Sequence, residues 1–201
     1  MDAVAAGPGR AAYGDGRASP ALRHSAWPAQ GQRYRLMAAK APTRVFIGLG
    51  SNLAGPVQQV RQALRALAGL PATRLQAHSS LYRNPPMGPR WQPDYVNAVA
   101  ELRTALRPRA LLAALQRIES HQGRNRNTLH WGPRTLDLDI LLWGKRRLKL
   151  PELIVPHPGV AQRAFVLCPL VELAPGLDIP GYGRIEQLLA DVDGETLTRV
   201  G

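Results

Sequence analysis

Hydrophobic and polar positions follow two periods along residues 44–143, and these periods predict an order of strands and helices. Arg44–Gly50 is rich in apolar and β-branched residues and stops at glycine, which is typical of a strand. Apolar residues at helical spacing follow in Val57–Leu70 and again in Ala110–Ser120. Pro108 is suited to the start of the second helix. We therefore expect two helices in this part of the chain.

Three further segments have the pattern of strands. They are Thr73–Tyr82, Tyr95–Leu102 and Thr135–Trp143, with loops predicted at Asn84–Pro93 and Gly123–Pro133. The complete order is βαββαβ, which is that of ferredoxin-like α+β domains. From about Leu150 onward the pattern predicts a C-terminal helical and extended appendage on the same core.

Residues 1–36 differ from the rest of the chain. They are rich in Ala, Gly, Pro and Arg and show neither a helical nor a strand period. We expect a disordered extension or a translation start assigned too far upstream, because Met37 stands just before the first strand. An acid-poor, Arg-containing leader also fits an organellar transit peptide. Residues 37–201 are then expected to form one functional domain.

The composition limits the class of protein. The formal net charge of +12 predicts attraction to polyanions, whether nucleic acid, anionic lipid or a triphosphate. No apolar run approaches the roughly 20 residues that a membrane helix needs. The single cysteine, Cys168, excludes a disulfide framework and fits a reducing cytoplasm. Its apolar neighbours predict a small core residue.

Two aspartates on the last predicted strand are the strongest chemical signal. Asp137 and Asp139 point from the same face of that strand, with Cα atoms about 7 Å apart. Two ionised carboxylates repel each other unless a cation compensates them. A pair of divalent cations meets this need, and so does an ion pair with Arg134 or nearby lysines. The spacing alone leaves both interpretations open.

Arginines surround these aspartates in the sequence, namely Arg124, Arg126, Arg134 and Arg163. The planar guanidinium group donates parallel hydrogen bonds to phosphate and stays charged. Arginines that face magnesium-binding carboxylates are what a triphosphate site requires. A merely solubilising basic surface is the alternative. His157, between two prolines, is interpreted as a structural histidine.

Two other pairs are candidates for binding residues. Gln116 and Glu119 share one face of the second helix, and as an isolated pair they are expected to face solvent. Tyr95 and Asn97 share one face of a strand. Together with Phe165 they could hold a flat heterocycle between aromatic faces and bind its edge, although core packing is the commoner role of such aromatics.

Several familiar sites are absent from the sequence. There is no GxxxxGK[ST] phosphate loop, and Gly48-Leu-Gly50 is only part of GxGxxG because Leu53 occupies the third glycine position. Zinc-ligand spacing and Gly-x-Ser-x-Gly are also missing.

Taken in order, the motifs resemble those of the 6-hydroxymethyl-7,8-dihydropterin pyrophosphokinase family. The resemblance covers about residues 44–175, and the run Trp131-Gly-Pro-Arg-Thr-Leu-Asp-Leu-Asp-Ile140 is its most specific part. The other matching segments are Phe46–Leu53, Ser79–Gly88, Gln92–Ala98, Gln116–Glu119, Gly123–Arg126, Val155–Pro158 and Arg163–Leu167.

The resemblance implies an ATP-dependent enzyme that transfers a pyrophosphoryl group to the pterin and releases AMP. It implies that Asp137 and Asp139 bind two Mg²⁺ ions. The triphosphate contacts it implies are Arg124, Arg126, Arg134, His157 and Arg163, with Gly123–Arg126 on a mobile loop. The residues it implies for the nucleotide site are Gln116, Glu119, Trp131 and Ile140.

For the pterin, the resemblance implies stacking by Tyr95 and Phe165 and a hydrogen bond from Asn97. The loop that closes over the pterin would comprise Asn84, Pro85, Pro86 and Met87. Two residues depart from the family pattern: His130 stands where many relatives carry arginine, and Asn84 replaces the usual threonine.

The rival interpretation is a ferredoxin-like module that binds nucleic acid. Such modules display several aromatics on central strands. Here the first strand has one aromatic, Phe46, and the fourth carries two aspartates that repel phosphate. A non-catalytic relative that still binds nucleotide is a third possibility. We expect a cytoplasmic monomer that acts on small molecules and binds neither nucleic acid nor membrane.

Overall fold

The computed structural model of the protein describes residues 38–125, 132–192 and 196–200. The predicted extension, residues 1–36, lies outside them. The elements are β1 (Ala38–Ser51), α1 (Pro56–Ala68), β2 (Thr73–His78), β3 (Leu81–Asn84), β4 (Tyr95–Leu106), α2 (Pro108–His121), β5 (Asp137–Trp143), β6 (Leu148–Leu150), β7 (Leu153–Val155), α3 (Ala164–Leu173), β8 (Asp178–Ile179), β9 (Gly183–Arg184), α4 (Ile185–Asp191) and β10 (Thr198–Val200).

The main sheet is antiparallel and has the strand order β10-β3-β4-β1-β5, with β2 also paired to β4. At its centre β1 and β4 pair from Thr43↔Thr104 to Ser51↔Val96. β5 pairs with the other side of β1 and forms one edge of the sheet. This arrangement confirms the predicted ferredoxin-like α+β core.

Helices α1 and α2 both begin with proline, as expected for the second of them. α1 packs on β1, β2 and β4, and α2 packs on β5. The side chains that α1 buries have the helical spacing read from the sequence: Val60, Ala63, Leu64 and Leu67. A separate apolar cluster joins Phe46 and Val99 of the sheet to Leu167 and Leu170 of α3.

The single strand predicted at Thr73–Tyr82 is wrong, because the chain forms two strands there. Ser79 interrupts them. Its N–H donates to the Val99 carbonyl over 2.9 Å, while its Oγ accepts from Val99 N–H over 3.0 Å. The side chain thus takes the place of a backbone acceptor, and β2 and β3 pair with different ends of β4.

The C-terminal part is helical and extended, as predicted, but β10 also joins the main sheet beside β3. Cys168 on α3 is only partly buried, so its predicted core position is wrong. The helical period turns it off the face that buries Leu167 and Leu170. Within the described ranges, no helix has the length and apolar character needed to cross a membrane.

Candidate active site

A cavity of about 330 Å³ opens beside the paired segments of β1, β4 and β5. It brings together most of the side chains predicted from the sequence to bind phosphate, metal or pterin. Those that line it are Asn84, Met87, Tyr95, Asn97, Arg124, Arg134, Asp137, Asp139, His157, Arg163 and Phe165. Residues that are far apart in the chain therefore form one site.

The two aspartates project beside glycines of the neighbouring strand. Asp137 pairs with Gly50 and Asp139 with Gly48, so no side chain of β1 covers either carboxylate. A Cβ at Gly50 would lie 2.8 Å from Oδ1 of Asn97, too close for an unshifted structure. The two glycines keep this part of the cavity open, and Gly50 leaves room for the side chain of Asn97. Sequence reasoning placed both glycines in the first strand, in an incomplete dinucleotide motif and in a family segment, but gave them no role in the site.

Two arginines hold Asp137 from opposite sides. Nη1 of Arg134 lies 2.7 Å from its Oδ2, and Nη1 of Arg124 donates to its Oδ1. Arg124 also donates to Glu119. The ion pair that the sequence offered as an alternative to metal binding is therefore present for Asp137.

Glu119 is 2% exposed, so the prediction that it faces solvent is wrong. Its Oε1 accepts the backbone N–H of Leu138 over 2.9 Å and a hydrogen bond from Arg124. A buried carboxylate is stable when charged and polar donors satisfy it in this way. Glu119 thus fixes the edge of β5 and the position of Arg124, a role that its helical spacing did not reveal.

Asp139 has no guanidinium hydrogen bond among the described residues. Burial, together with the negative charges of Asp137 and Glu119, raises the pKa of Asp139 to about 7. Nε2 of His157 lies 3.9 Å from Oδ2 of Asp139. The carboxylate that most needs a compensating cation therefore faces the cavity.

His157 is held by its neighbours in one tautomer. Its backbone N–H donates to the Leu141 carbonyl over 2.9 Å, and its Nδ1 accepts the N–H of Gly159 over 3.1 Å. Burial and the positive charge of Arg163 lower its pKa, so the ring is neutral at pH 7. The proton then sits on Nε2, which faces Asp139.

Arg163 and Phe165 stand together at the start of α3. The Arg163 guanidinium lies 5.9 Å from the centre of the Phe165 ring, within cation–π distance. A Cβ at Gly159 would lie 2.6 Å from Cζ of Arg163. The glycine therefore lets the guanidinium lie against the backbone.

The predicted pterin residues form a hydrogen-bonded set at the other end of the cavity. Asn97 Nδ2 donates to Asn84 Oδ1 over 2.7 Å, and Asn84 Nδ2 donates to the Pro85 carbonyl over 2.8 Å. The Tyr95 hydroxyl donates to the Gly132 carbonyl over 3.0 Å. Asn84 is 3% exposed, and its amide is occupied by these contacts. The departure from threonine at Asn84 is thus accommodated inside the site.

Five predicted site residues among those that the structure describes do not line the cavity: Pro85, Pro86, Gln116, Glu119 and Ile140. The Ile140 side chain is 2% exposed and belongs to the core. Its strand is an edge, however, and Leu138 N–H points away from β1 toward Glu119. Because N–H groups two residues apart point the same way, the Ile140 backbone also faces outward from the sheet. Arg126, His130 and Trp131 lie outside the described residues.

Sequence reasoning missed Asn52 as a residue that organises the site. Its amide donates to Gln92 Oε1 and to the Pro93 carbonyl, each over 3.1 Å, and its Oδ1 accepts Arg134 N–H over 2.8 Å. Asn52 is 2% exposed. The buried Asn52 amide therefore connects the loop before β4 to the backbone of Arg134. A polar residue directly after a buried strand was the available signal.

The donor set fits magnesium better than a metal bound by protein alone. Among the described residues no group of three or more His, Cys, Asp or Glu could hold a metal ion. Mg²⁺ commonly takes one or two carboxylates and completes its shell with water and substrate phosphates. Asp137 and Asp139, open to the same cavity, provide that pair of oxygen ligands.

Comparisons with known proteins agree with this chemistry. The family model described as 7,8-dihydro-6-hydroxymethylpterin-pyrophosphokinase matches residues 46–175. The chain is 54% identical over 157 residues to the 2-amino-4-hydroxy-6-hydroxymethyldihydropteridine pyrophosphokinase of Pseudomonas aeruginosa, covering 78% of this chain and 96% of that one. It is 49% identical over 144 residues to the Haemophilus influenzae protein of the same name, covering 72% and 89%.

Other similar proteins are longer. A folate synthesis bifunctional protein of Arabidopsis thaliana is 42% identical over 137 residues, which are 67% of this chain and 28% of that one. A crystal structure of a point mutant of Plasmodium falciparum HPPK-DHPS with pteroate matches with a TM-score of 0.58 at 12% identity. That match covers 77% of this chain and 44% of the other, and it shows the fold alone.

Proposed function

This chain belongs to the 7,8-dihydro-6-hydroxymethylpterin-pyrophosphokinase family, and on that premise we propose which of its residues carry the reaction. It is an ATP-dependent diphosphotransferase of folate biosynthesis. It transfers the pyrophosphoryl group of ATP to 6-hydroxymethyl-7,8-dihydropterin and yields the pterin diphosphate and AMP.

We propose that Asp137 and Asp139 hold two Mg²⁺ ions together with the ATP phosphates. Bound there, the ions would offset the negative charge of the phosphates and act as Lewis acids toward the transferred group. The observation that carries this proposal is the pair of carboxylates beside Gly48 and Gly50. Burial and the negative charges of Asp137 and Glu119 raise the pKa of Asp139 to about 7, and a bound cation would favour its ionised form.

Arg124 and Arg134 bind the triphosphate once Asp137 binds a metal ion and no longer accepts their hydrogen bonds. In the structure both donate to Asp137, so the guanidinium groups are already aimed into the cavity. Arg163 and His157 face the same space from the side of α3. Arg126 is proposed for the same role on the strength of its motif. Fixed donors aimed at developing charge are an effective form of catalysis because they need little reorganisation.

The nucleotide base is proposed to bind beside β5, near Gln116, Glu119, Trp131 and Ile140. The outward-facing backbone of Ile140 supports this, since an edge strand offers both a donor and an acceptor to a heterocycle. The buried Glu119 contributes by fixing Leu138 on that edge.

The pterin is proposed to lie between Phe165 and Tyr95, with Asn97 bound to its edge. Its hydroxymethyl oxygen then attacks the β-phosphorus, the bond from that phosphorus to the α,β-bridging oxygen breaks, and AMP leaves. The hydroxyl proton is lost in the same step. The loop Asn84–Met87 is proposed to close over the ring. Met87, 47% exposed although it lines the cavity, has apolar surface to bury on closure.

The test is AMP release from ATP with Mg²⁺ and 6-hydroxymethyl-7,8-dihydropterin. Asp137→Asn and Asp139→Asn should each lower kcat/KM by at least about a hundredfold, because each removes a charge that offsets the bound cation. Asp178→Asn, an exposed aspartate on β8, should leave AMP release unchanged.

Circular dichroism should show all three variants folded. The Asp139 change relieves repulsion, and the Asp137 change costs only partly exposed ion pairs. Normal AMP release from either β5 variant would refute the metal assignment. ADP as the product would refute the pyrophosphoryl transfer itself.

The rival nucleic-acid module is disfavoured by Phe46, which is 3% exposed and packs in the core, where it cannot stack on a base. We propose instead a cytoplasmic monomer whose partners are its two small-molecule substrates. Sedimentation at micromolar concentration should give the mass of one chain, and a dimer would contradict this.

A further inference from the structure

Glu172, two turns after Phe165 on α3, is a hydrogen-bonding centre at the far end of that helix. Its carboxylate accepts the backbone N–H of Ser80 over 3.0 and 3.1 Å and the Ser80 hydroxyl over 2.9 Å. It also accepts the Tyr82 hydroxyl over 2.9 Å and pairs with Arg199 Nη2 at 3.1 Å. One side chain therefore joins α3 to β3 and to the C-terminal strand β10.

The elements joined by Glu172 are those that carry the two sides of the proposed pterin slot. Phe165 and Glu172 are seven residues apart, so they project from the same face of α3. On the sheet, Tyr82 pairs directly with Asn97, and Asn84 pairs with Tyr95. The Glu172–Tyr82 hydrogen bond is thus one cross-strand step from the residue proposed to bind the pterin edge.

We propose that Glu172, acting through Ser80 and Tyr82, is a positioning residue that sets the width of the pterin slot. The proposal rests on the proposed function, in which the pterin lies between Phe165 and the sheet. Burial opposes ionisation of Glu172, but its hydrogen bonds from Ser80 and Tyr82 outweigh burial and lower its pKa. The carboxylate is therefore charged at pH 7, which strengthens each hydrogen bond that it accepts.

The hydrogen bonds from Ser80 and Tyr82 to Glu172, called the clamp below, have a role that the apolar packing of α3 does not fill. Leu167 and Leu170 hold the middle of the helix on Val99 and Leu141, and such contacts have little directional preference. Hydrogen bonds to Ser80 and Tyr82 fix the end of the helix in one register against β3. A small tilt of α3 about its middle would move Phe165 relative to Asn97, and misplacement of this kind weakens oriented binding.

The clamp predicts a selective effect on the two substrates. Most residues proposed for ATP lie on α2, on β5 and in the loop between them, so the ATP site keeps most of its contacts if α3 tilts. His157 and Arg163 lie just before α3, and none of the partners of Glu172 described above is proposed to bind ATP. Glu172→Gln and Tyr82→Phe should each raise the KM for the pterin by about fivefold to tenfold. The KM for ATP and kcat should stay within about twofold.

The matched control is Glu186→Gln. Glu186 on α4 also accepts a backbone N–H, that of Gly176, and also pairs with an arginine, but neither of these interactions reaches β3 or α3. Glu186→Gln should leave both KM values unchanged.

Equilibrium binding of the pterin, measured by its fluorescence, should weaken in Glu172→Gln and Tyr82→Phe by the same factor as KM. The double variant should be no weaker than Glu172→Gln, because both changes break one linkage.

Phe165→Ala separates failure of the clamp from failure of the proposed function. If this variant raises the pterin KM while Glu172→Gln does not, the slot is correctly placed and the clamp is refuted. If Phe165→Ala itself leaves pterin binding unchanged, the proposed pterin position is wrong, and the clamp falls with it. Equal losses in ATP and pterin binding by Glu172→Gln would show a structural role alone and overturn the proposal.

Discussion

At the scale of single residues, the site depends on glycines as much as on charged groups. Gly48 and Gly50 stand beside the aspartates, and Gly159 lets Arg163 lie against the backbone. In each case the absence of a Cβ makes room for a functional group. Asn52 has the complementary role of a buried amide whose hydrogen bonds are satisfied by groups that shape the site.

Gly159→Ala tests this argument at Arg163. The new methyl group would lie 2.6 Å from Cζ of Arg163, and it can be relieved by moving the end of that flexible side chain. The KM for ATP should therefore rise by about threefold to tenfold, while stability changes by less than about 1 kcal/mol. Steady-state kinetics measure the KM for ATP, and urea unfolding measures the change in stability.

Gly69→Ala is the control, because a Cβ there would meet its nearest atom at an ordinary 3.6 Å. It should alter neither quantity appreciably. An unchanged KM for ATP in Gly159→Ala would contradict the proposed contact between Arg163 and the triphosphate.

At the scale of elements, the helical and strand periods predicted most of the fold. The two helices and the strands at the centre of the sheet were evident because each has one clear period. The division into β2 and β3 was not, because it depends on a Ser79 hydroxyl that pairs with a strand distant in the sequence. The position of β10 depends likewise on a tertiary contact.

The candidate site was predictable where its residues alternate on one strand or form a family motif. Asp137 and Asp139 share the cavity because strand geometry requires it. The burial of Glu119 could not be predicted from its helix, since the group that satisfies it is Leu138 N–H on another element. Leu141 lines the cavity because of an irregularity between Ile140 and Leu142 in the pairing with β1, which no period reveals.

The contact between α3 and β3 also predicts a pH dependence of stability. Since the folded-state pKa of Glu172 is lowered, its contribution is present above the unfolded value of about 4.3 and is lost as pH falls through the folded value. Because Glu172 is exposed to solvent, Glu172→Gln should lower the free energy of unfolding by only about 0.5–1 kcal/mol at pH 7. The difference from the wild type should shrink below about pH 4. Urea unfolding at several pH values measures it, and a difference that grows on acidification would contradict the account.

At the scale of the whole molecule, the net charge of +12 favours encounter with a triphosphate, and the cavity arginines make the attraction local. Among the described residues that line the cavity, Gly48 is the first in the chain. We propose that residues 37–201 form the pyrophosphokinase domain.

A chain that starts at Met37 should accordingly keep kcat/KM within about twofold of the full chain, because it retains every described residue that lines the cavity. AMP release by equal amounts of the two proteins tests this. A large loss of activity in a shortened chain with normal circular dichroism would show that residues 1–36 contribute to the site.

The central claim is that β5 presents two carboxylates that hold divalent cations against the phosphates of ATP. A crystal grown with Mg²⁺, a non-hydrolysable ATP analogue and the pterin tests it most directly. We predict two ions, each in contact with an oxygen of Asp137 or Asp139 and with phosphate oxygens, beside Gly48 and Gly50. A triphosphate bound in the cavity with no cation at either carboxylate would contradict this account.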